Sequence, residues 1–228
     1  EWKEDSPLDQ LLDMSPVESD DIERVIEFAG RHCYASWNYG QSRDEYIPRI
    51  TKQQHESVLE HATVTFALSG ISRSLSLQLI RHRVGIAISQ ESQRYVNAGD
   101  MNFVVPPLYQ YLEEGIDEAF DSFMDSVESY IDLQKMVKRC NEEHLKKRIN
   151  EAARSVIPGG TETKLTWTAN MRTLRHFVLL RGGEGAELEI RLLANLLLEK
   201  GREVAPMVFE DIKTIEGSYD IPVITKEQ

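Results

Sequence analysis

Helical spacing dominates the pattern of apolar and polar positions along the chain. Residues 15–18, Ser-Pro-Val-Glu, form a capping box with proline at the first helical position, and Ile22, Val25, Ile26 and Ala29 follow at helical intervals. These residues predict a first helix that extends to about residue 35. Further helices are predicted over 43–53 and from Ser72 through Leu75 and Leu79 to the arginines that follow. Residues 113–150 are predicted as one or two helices. The C-terminal part is predicted to hold a helix through Leu174 and Phe177 to Arg181, a helix over 185–200 that ends at Gly201, and a last one over 204–213.

Two segments instead alternate between apolar and polar residues, which is the period of a half-buried strand. The apolar positions on one face are Val64, Phe66 and Leu68 in residues 62–68, and Leu165, Trp167 and Ala169 in residues 163–169. Residues 102–105, which end at Pro106-Pro107, are predicted as a third, short strand. Residues 55–61 are typical of a short helix or turn, and Gly85 indicates a loop within the apolar run 84–88.

The sum of these elements is an α+β fold, dominated by helices, with one small and mostly antiparallel sheet. A length of 228 residues fits one domain, or one domain with an inserted lobe, and is long enough to bury a core without disulfides or metals; the prediction is a single domain, 1–228. No internal repeat and no low-complexity tract divides the chain. We therefore expect one globular unit.

The composition is that of an ordinary globular protein, with 41% hydrophobic and 28% charged residues. No apolar run approaches the roughly 20 residues that a membrane-spanning helix needs. The first ten residues, EWKEDSPLDQ, are acidic and polar, unlike a secretory signal. Cys33 and Cys140 lie far apart and form no CxxC pattern, which favours reduced thiols. The expectation is a soluble cytoplasmic protein that does not contact a membrane.

The formal net charge of -12 argues against general binding to nucleic acids, but the charge is unevenly distributed. Residues 71–97 contain four arginines and one acid, and residues 152–183 contain four arginines and Lys164 against the single acid Glu162. We call these segments the two basic islands. If they meet in the fold, they form a local anion site, for which arginine is the better bidentate ligand.

Other common chemistries lack the residues that they require. His55 and His61 are six positions apart, so they do not share a helical face for a metal ion, and no further ligand lies close by; no metal site is predicted. Residues 181–185, Arg-Gly-Gly-Glu-Gly, follow a helix and lack the GK[ST] ending of a P-loop. Ser92 has only His82 near it in sequence, and there is no GxSxG elbow, which argues against a hydrolase triad.

Residues 81–95, RHRVGIAISQESQRY, pose the sharpest question, because they gather arginines around an apolar run in an acidic protein. One interpretation is surface ion pairing with the abundant acids elsewhere in the chain. The other is binding of an anionic ligand, which the polar residues and the further Arg94 after the apolar run favour. Both interpretations remain open at this point.

Three blocks of the sequence resemble the flavin-dependent thymidylate synthases. In that family an RHR triplet is followed by seven residues and a serine, which resembles Arg81-His82-Arg83 and the later Ser92-x-Arg94-Tyr95. The segment His55-Glu56-x-x-x-Glu60-His61 before a strand resembles the flavin-side segment of the family. Residues 166–172, followed by Leu179-Leu180-Arg181, resemble its C-terminal block. The blocks occur in the family's order over about residues 55–190.

The resemblance implies an α+β homotetramer whose sites lie between subunits, with the two basic islands contributed by different subunits. The implied reaction converts dUMP to dTMP, with methylenetetrahydrofolate as the one-carbon donor and FAD, reduced by NADPH, as the hydride source. The residues that the resemblance assigns to FAD are Ser36 (in the first helix), His55, Ser57, Glu60, Arg81, His82, Arg83, Asn170, Arg172 and His176. Those assigned to dUMP are Gln78, Gln90, Ser92, Arg94, Arg154 and Arg181.

Known chemistry explains why the implied reaction uses these residue types. A flavin pyrophosphate and a nucleotide monophosphate both need fixed cations. Methylation at C5 of uracil builds negative charge on the carbonyl oxygens, which a preorganised arginine stabilises; Arg181 is the expected catalytic residue for this role. Ser92 is the second residue expected at the catalytic centre; because the redox step belongs to the flavin, no strong protein nucleophile is required, and Ser92 is expected to bind substrate rather than to attack it.

The chain departs from the family pattern at two places. The spacer between Arg83 and Ser92 has eight residues, 84–91, and we expect the extra residue to bulge within 84–88. His176 stands where some relatives have asparagine. Two alternatives therefore stay open: a nucleic-acid-binding module built on the RHR triplet, and a flavoprotein that has lost methyl transfer and serves as a reductase or nucleotide sensor.

Overall fold

The computed structural model describes residues 21–38, 40–96, 102–112, 115–138 and 142–226. The predicted capping box at residues 15–18 lies outside these ranges. In chain order the helices are α1 Asp21–Cys33, α2 Arg43–Lys52, α3 Arg73–Leu79, α4 Gly115–Lys138, α5 Glu143–Ala153, α6 Met171–Arg181 and α7 Leu188–Val204. The strands are β1 Thr63–Ser72, β2 Ile86–Gln90, β3 Glu162–Asn170, β4 Ile212–Ile215 and β5 Val223–Lys226.

A three-stranded antiparallel sheet of order β1-β3-β2 organises the fold. Its alternation has the predicted phase, because Trp167 in the central strand is fully buried and packs against Phe66 of β1 and Phe177 of α6. The sheet buries this face against the helices, and α6 and α7 pack on each other behind it. The opposite face carries small residues such as Thr65, Ala67 and Thr166, which are exposed. The α+β class with a small antiparallel sheet is confirmed.

Two predicted boundaries in the first island are wrong. The helix after Ser72 ends at Leu79, so Arg81, His82 and Arg83 lie in the turn beyond it rather than in its last turn. The hydroxyl of Ser72 does accept a 3.0 Å hydrogen bond from the backbone N–H of Leu75, as expected for a helix cap. The apolar run after Gly85 is not a loop but strand β2, since its residues pair in unbroken register with β3 from Ile86–Ala169 to Gln90–Leu165.

Corrections near the C-terminus come from tertiary contacts. Helix α7 does not end at Gly201 but continues to Val204. A Cβ at Gly201 would lie 2.9 Å from the ring of Phe209, so the glycine serves close packing rather than helix termination. The helix predicted over 204–213 is a short 3₁₀ turn, Pro206–Phe209, followed by β4. Strand β4 pairs with β5 in a second, two-stranded sheet that was not expected.

The remaining predictions agree with the structure in part. Residues 55–61 hold a 3₁₀ turn, Glu56–His61, and the acidic stretch divides into α4 and α5. The first helix ends at Cys33, so Ser36 follows the helix instead of lying in it. Residues 102–105 form no strand, only an isolated bridge between Phe103 and Thr161. Across the described ranges, no helix is long and apolar enough to cross a membrane. The single-domain organisation stays a prediction.

Candidate active site

Both basic islands meet in the fold, because their residues lie at the ends of neighbouring elements. The turn after α3 carries Arg81 to Arg83, and helix α6 begins where β3 ends, at Asn170. The side chain of Asn170 caps α6 by accepting a 2.8 Å hydrogen bond from the N–H of Thr173. The backbone N–H of Asn170 donates to the carbonyl of Gly85, at 3.0 Å. The condition that the sequence set for a local anion site is therefore met within one chain, whereas the resemblance implied that different subunits contribute the two islands.

The first cavity, of about 440 Å³, we call the arginine cavity. It contains most of the residues that the resemblance assigned to FAD. Its lining residues are Glu60, Arg81, His82, Arg83, Val84, Asn170, Arg172, Thr173 and His176. The carboxylate of Glu60 pairs with Arg172, while Arg81 and Arg83 are exposed and form no ion pair with the described residues. This cavity therefore presents cationic and amide donors that an anionic ligand could use.

The second cavity, of about 550 Å³, adjoins the first and shares Arg81 and His82 with it. We call it the Arg181 cavity. Its other lining residues are Leu180, Arg181, Gly183, Gly185 and Ala186. Residues 181–185, which the sequence excluded as a P-loop, thus contribute a glycine-rich wall. Within the described chain no carboxylate pairs with Arg181, so its charge is available to a ligand.

His82 forms the boundary between these two cavities. The Nε of Arg181 donates a 3.0 Å hydrogen bond to its Nε2. Its ring packs edge-on against Phe177, with centroids 5.0 Å apart. Burial, followed by the positive charges of Arg181, His176 and Arg81, lowers the pKa of His82 below its ordinary value. The imidazole is therefore neutral at pH 7.

The connection before β2 is the irregular part of the spacer between Arg83 and Ser92. Gly85 has a φ of +68°, and a Cβ there would lie 2.3 Å from Nδ2 of Asn170 and 2.5 Å from Oγ1 of Thr173. The hydroxyl of Thr173 also donates a 2.9 Å hydrogen bond to the carbonyl of Val84. Because β2 itself is regular, the irregularity lies at Val84-Gly85, at the start of the run where a bulge was expected.

Ser36 and His55 line a third cavity, of about 580 Å³, apart from the other predicted FAD residues. We call it the Tyr46 cavity. The ring of Tyr46 is its floor, with the guanidinium groups of Arg31 and Arg49 at 4.6 Å and 5.3 Å from the ring centroid. The hydroxyl of Ser36 is buried and finds no hydrogen-bond partner among the described residues. The 3₁₀ turn Glu56–His61 begins directly after His55 and contains both the exposed Ser57 and Glu60 of the arginine cavity.

The residues predicted to bind dUMP are less closely grouped. Gln78 donates to Glu187, and the amide of Gln90 donates to Ser76 and Thr163 at 3.0 and 3.1 Å. Arg94 donates to Glu151 at 2.8 Å, which holds the pKa of that carboxyl below its usual range. The hydroxyl of Ser92 accepts from the backbone N–H of Arg94 at 3.4 Å. Across the described ranges, no histidine or carboxylate hydrogen-bonds Ser92, so it has no adjacent base.

Arg73 is a functional candidate that the sequence counted in the first island but did not assign. Its Nη1 is buried and has no hydrogen-bond partner in the described chain. Burial, and then the charge of Arg154, lowers its pKa, while Glu91 acts in the opposite direction. An anion placed near Arg73 and Arg154 would offset this repulsion and give the buried guanidinium nitrogen a partner. The sequence feature that could have identified Arg73 is its position directly after the helix cap Ser72, within the first basic island.

Comparison with known proteins identifies relatives of this chain. A family model described as "Thymidylate synthase complementing protein" matches residues 11–207. The chain is 37% identical over 216 residues to the flavin-dependent thymidylate synthase of Mycobacteroides abscessus, covering 87% of this chain and 84% of that protein. It is 38% identical over 204 residues to that of Corynebacterium diphtheriae (85% and 80% covered), and 40% identical over 200 residues to that of Mycobacterium tuberculosis strain H37Ra (83% and 79% covered).

The fold and the site thus define an α+β enzyme with adjoining cationic cavities. The chain belongs to the flavin-dependent thymidylate synthase family. This confirms the resemblance that the three sequence blocks indicated.

Proposed function

We propose that this chain is a methyltransferase that converts dUMP to dTMP, with methylenetetrahydrofolate as the one-carbon donor and NADPH as the reductant of FAD. The observation that carries the proposal is the shared wall of two cavities. Seven of the ten residues expected on FAD line the arginine cavity, and Arg181, expected on dUMP, lines the cavity next to it. A ligand in each would meet at Arg81 and His82.

The residues of the arginine cavity fit a flavin dinucleotide by their chemistry. Arg81, Arg83 and Arg172 supply cations for a pyrophosphate, and the Asn170 side chain supplies an amide. The Gly85 backbone lies so close to Asn170 that a side chain there would crowd this amide. Bound there, the flavin would supply the hydride, a step for which side chains alone are not suited. The Tyr46 cavity, with Ser36 and His55, extends the proposed flavin region.

In the proposed reaction the side chains of this protein bind and orient the substrate and stabilise the charge that develops on it. Arg181 would face the pyrimidine carbonyl oxygens, on which negative charge develops when C5 becomes nucleophilic. Arg73 and Arg154 would hold the monophosphate, since their mutual repulsion is relieved by a dianion. Gln78, Gln90, Ser92 and Arg94 would complete the substrate site. Ser92 would act by hydrogen bonding, because no base lies beside it in the part of the chain that the structure describes.

We propose that the enzyme is a homotetramer whose subunits complete each other's sites. Large apolar side chains are exposed around the RHR triplet: Val84 is 84% exposed, Leu77 61%, Leu180 53% and Ile80 42%. Exposed apolar groups of this size next to a site favour burial by another chain. Sedimentation equilibrium would measure the mass of the assembly, and a monomeric mass would refute this part. Cell fractionation would test the cytoplasmic location that we also propose.

Two measurements test the function in sequence. The purified protein, incubated with FAD and desalted, should retain the visible absorbance of an oxidised flavin. Release of tritium from dUMP labelled at C5, in the presence of NADPH and methylenetetrahydrofolate, should then follow. Absence of retained flavin would refute the proposal. Retained flavin without tritium release would favour the reductase or sensor, and retention on DNA that falls steeply with salt would favour the nucleic-acid module.

Alanine substitutions of Arg181 and Arg172, made one at a time, distinguish the residues proposed to bind dUMP from those proposed to bind FAD. We expect Arg181→Ala to weaken dUMP binding by about 10- to 100-fold, the value of a charge-assisted hydrogen bond or two, and to spare FAD. Arg172→Ala is the matched variant and should weaken FAD retention more than dUMP binding. Equal loss of both ligands in both variants would contradict the assignment.

A further inference from the structure

His82 connects two groups of residues that the sequence assigned to different ligands. It lines both the arginine cavity and the Arg181 cavity, and its Nε2 accepts a 3.0 Å hydrogen bond from Nε of Arg181. We propose that His82 is a positioning residue for Arg181, acting as a neutral acceptor that fixes the guanidinium group for the substrate. This inference rests on the proposed function, which places Arg181 on dUMP.

The tautomer of His82 follows from its partner. A guanidinium group has five N–H donors and no acceptor, so Nε2 of His82 must present its lone pair to Arg181. The ring proton is then on Nδ1. Because the bond uses Nε of Arg181, both terminal nitrogens remain for a ligand, which is the arrangement needed for bidentate binding.

Packing holds both partners of this bond in place. The His82 ring lies edge-on against Phe177, which is fully buried. Phe177 is four residues before Arg181, one turn away on the same helix α6. Helix α6 therefore carries both the ring that holds His82 and the arginine that His82 holds. Arg181 has no carboxylate partner among the described residues, so His82 is its one described side-chain hydrogen bond.

The charges around His82 keep it neutral. Arg181 and His176 face it from α6, and Arg81 precedes it in the turn. Arg83, Arg172 and Glu60 line the same cavity. Burial and the surrounding cations lower the pKa of His82 from its ordinary value of 6.5. Protonation would remove the acceptor and put a second cation against Arg181, so acid should release Arg181 from its position.

Three single variants and one double variant test the positioning role. His82→Phe keeps a ring against Phe177 but has no acceptor, whereas His82→Gln can restore an acceptor oxygen. The assay is equilibrium binding of dUMP, measured on flavin-saturated and on flavin-free protein, so that any role of His82 in flavin binding is separated. The comparison variants are Arg181→Ala and the double variant His82→Phe/Arg181→Ala.

We expect His82→Phe to weaken dUMP binding about 5- to 10-fold in both protein forms, the loss typical of one hydrogen bond that orients a charged group. His82→Gln should stay within about 3-fold of the native protein. The double variant should bind no more weakly than Arg181→Ala, because the two residues act as one unit. Native affinity should fall when the pH is lowered from about 7.5 toward about 5.5, and His82→Gln should flatten this fall.

Failure of this inference and failure of the proposed function give different results. If Arg181→Ala weakens dUMP binding but His82→Phe does not, or if the two losses are fully additive, His82 does not position Arg181. If His82→Phe acts only on flavin-saturated protein, His82 is a flavin ligand alone and the positioning role is overturned. If neither substitution changes dUMP binding, the placement of Arg181 on dUMP is itself wrong.

Discussion

The ion pair between Arg175 and Asp211 joins the site helix α6 to the segment before β4, and its removal should destabilise the whole fold. Arg175 is 1% exposed and donates from Nη1 and Nη2 to the two carboxylate oxygens at 2.8 and 3.0 Å. It also donates to the carbonyl of Val208. The substitution Asp211→Asn would keep the shape of the partner but leave a buried guanidinium group without its counter-charge.

The magnitude follows from burial. Removing one partner of a buried pair costs about 3–5 kcal/mol, but the Asp211 side chain is 23% exposed, so we expect about 2–3 kcal/mol. For a chain of this length that corresponds to a fall in Tm of about 4–12 °C. Urea unfolding at a fixed protein concentration would measure it. The matched control is Glu210→Gln, an exposed neighbouring acid, which should change stability by less than about 0.5 kcal/mol.

A second variant and a pH series make the reasoning refutable. Asp211→Asn/Arg175→Met removes the unpaired charge, so the double variant should be more stable than Asp211→Asn alone. Burial alone would raise the pKa of Asp211, but the hydrogen bonds and charge of Arg175, with Lys226, hold it below the ordinary 3.8. The ion pair therefore contributes fully to the free energy of unfolding above about pH 3.8, and this contribution is lost as the pH falls through the lowered pKa of Asp211. The stability difference between native and Asp211→Asn should shrink there; a loss below about 1 kcal/mol at pH 7 would refute the argument.

Two further predictions concern the site. Gly85→Ala should lower the free energy of unfolding by about 2–3 kcal/mol and weaken flavin retention, because a positive φ is combined with a Cβ that would lie 2.3 Å from Asn170. The control Gly70→Ala has the same φ of +68° but nothing within 4 Å of its Cβ, and it should cost about 1 kcal/mol. Equal losses in urea unfolding would show that the contact with Asn170 is unimportant. Ser92→Ala should weaken dUMP binding at most about 10-fold and keep measurable tritium release, and complete loss of turnover at normal dUMP affinity would instead indicate a nucleophile.

The arginine cavity was largely predictable from the sequence because its residues belong to short, contiguous blocks. Arg81, His82 and Arg83 are adjacent, and Asn170, Arg172 and His176 lie on two turns at the start of α6. Contiguous residues stay together in any fold that preserves the local structure. What the blocks could not show is that residues of both islands lie in contact within one chain, which depends on the pairing of β2 with β3.

The errors occurred where non-local contacts override local preference. The run after Gly85 is predicted as a loop because the glycine indicates one, and the partner that makes it a strand, β3, lies about 80 residues away in sequence. Gly201 looked like a helix end, but Phe209 packs against it and α7 continues. A helix is predicted over 204–213, but the chain there leads into β4, which pairs with the C-terminal strand β5.

The sequence alone determined the periodic elements, the two basic islands and the family blocks, since each depends on residues close together in the chain. The tertiary structure alone decided how the islands combine. It placed Arg181 in a hydrogen bond with His82, and it placed Ser36 and His55 in a cavity apart from the other predicted FAD residues. It also placed Arg73, whose buried Nη1 has no hydrogen-bond partner among the described residues, where the charge of Arg154 acts on it. Partners 80 to 100 residues apart are chosen by the packing of the sheet against α6, and no local pattern in the chain records that choice.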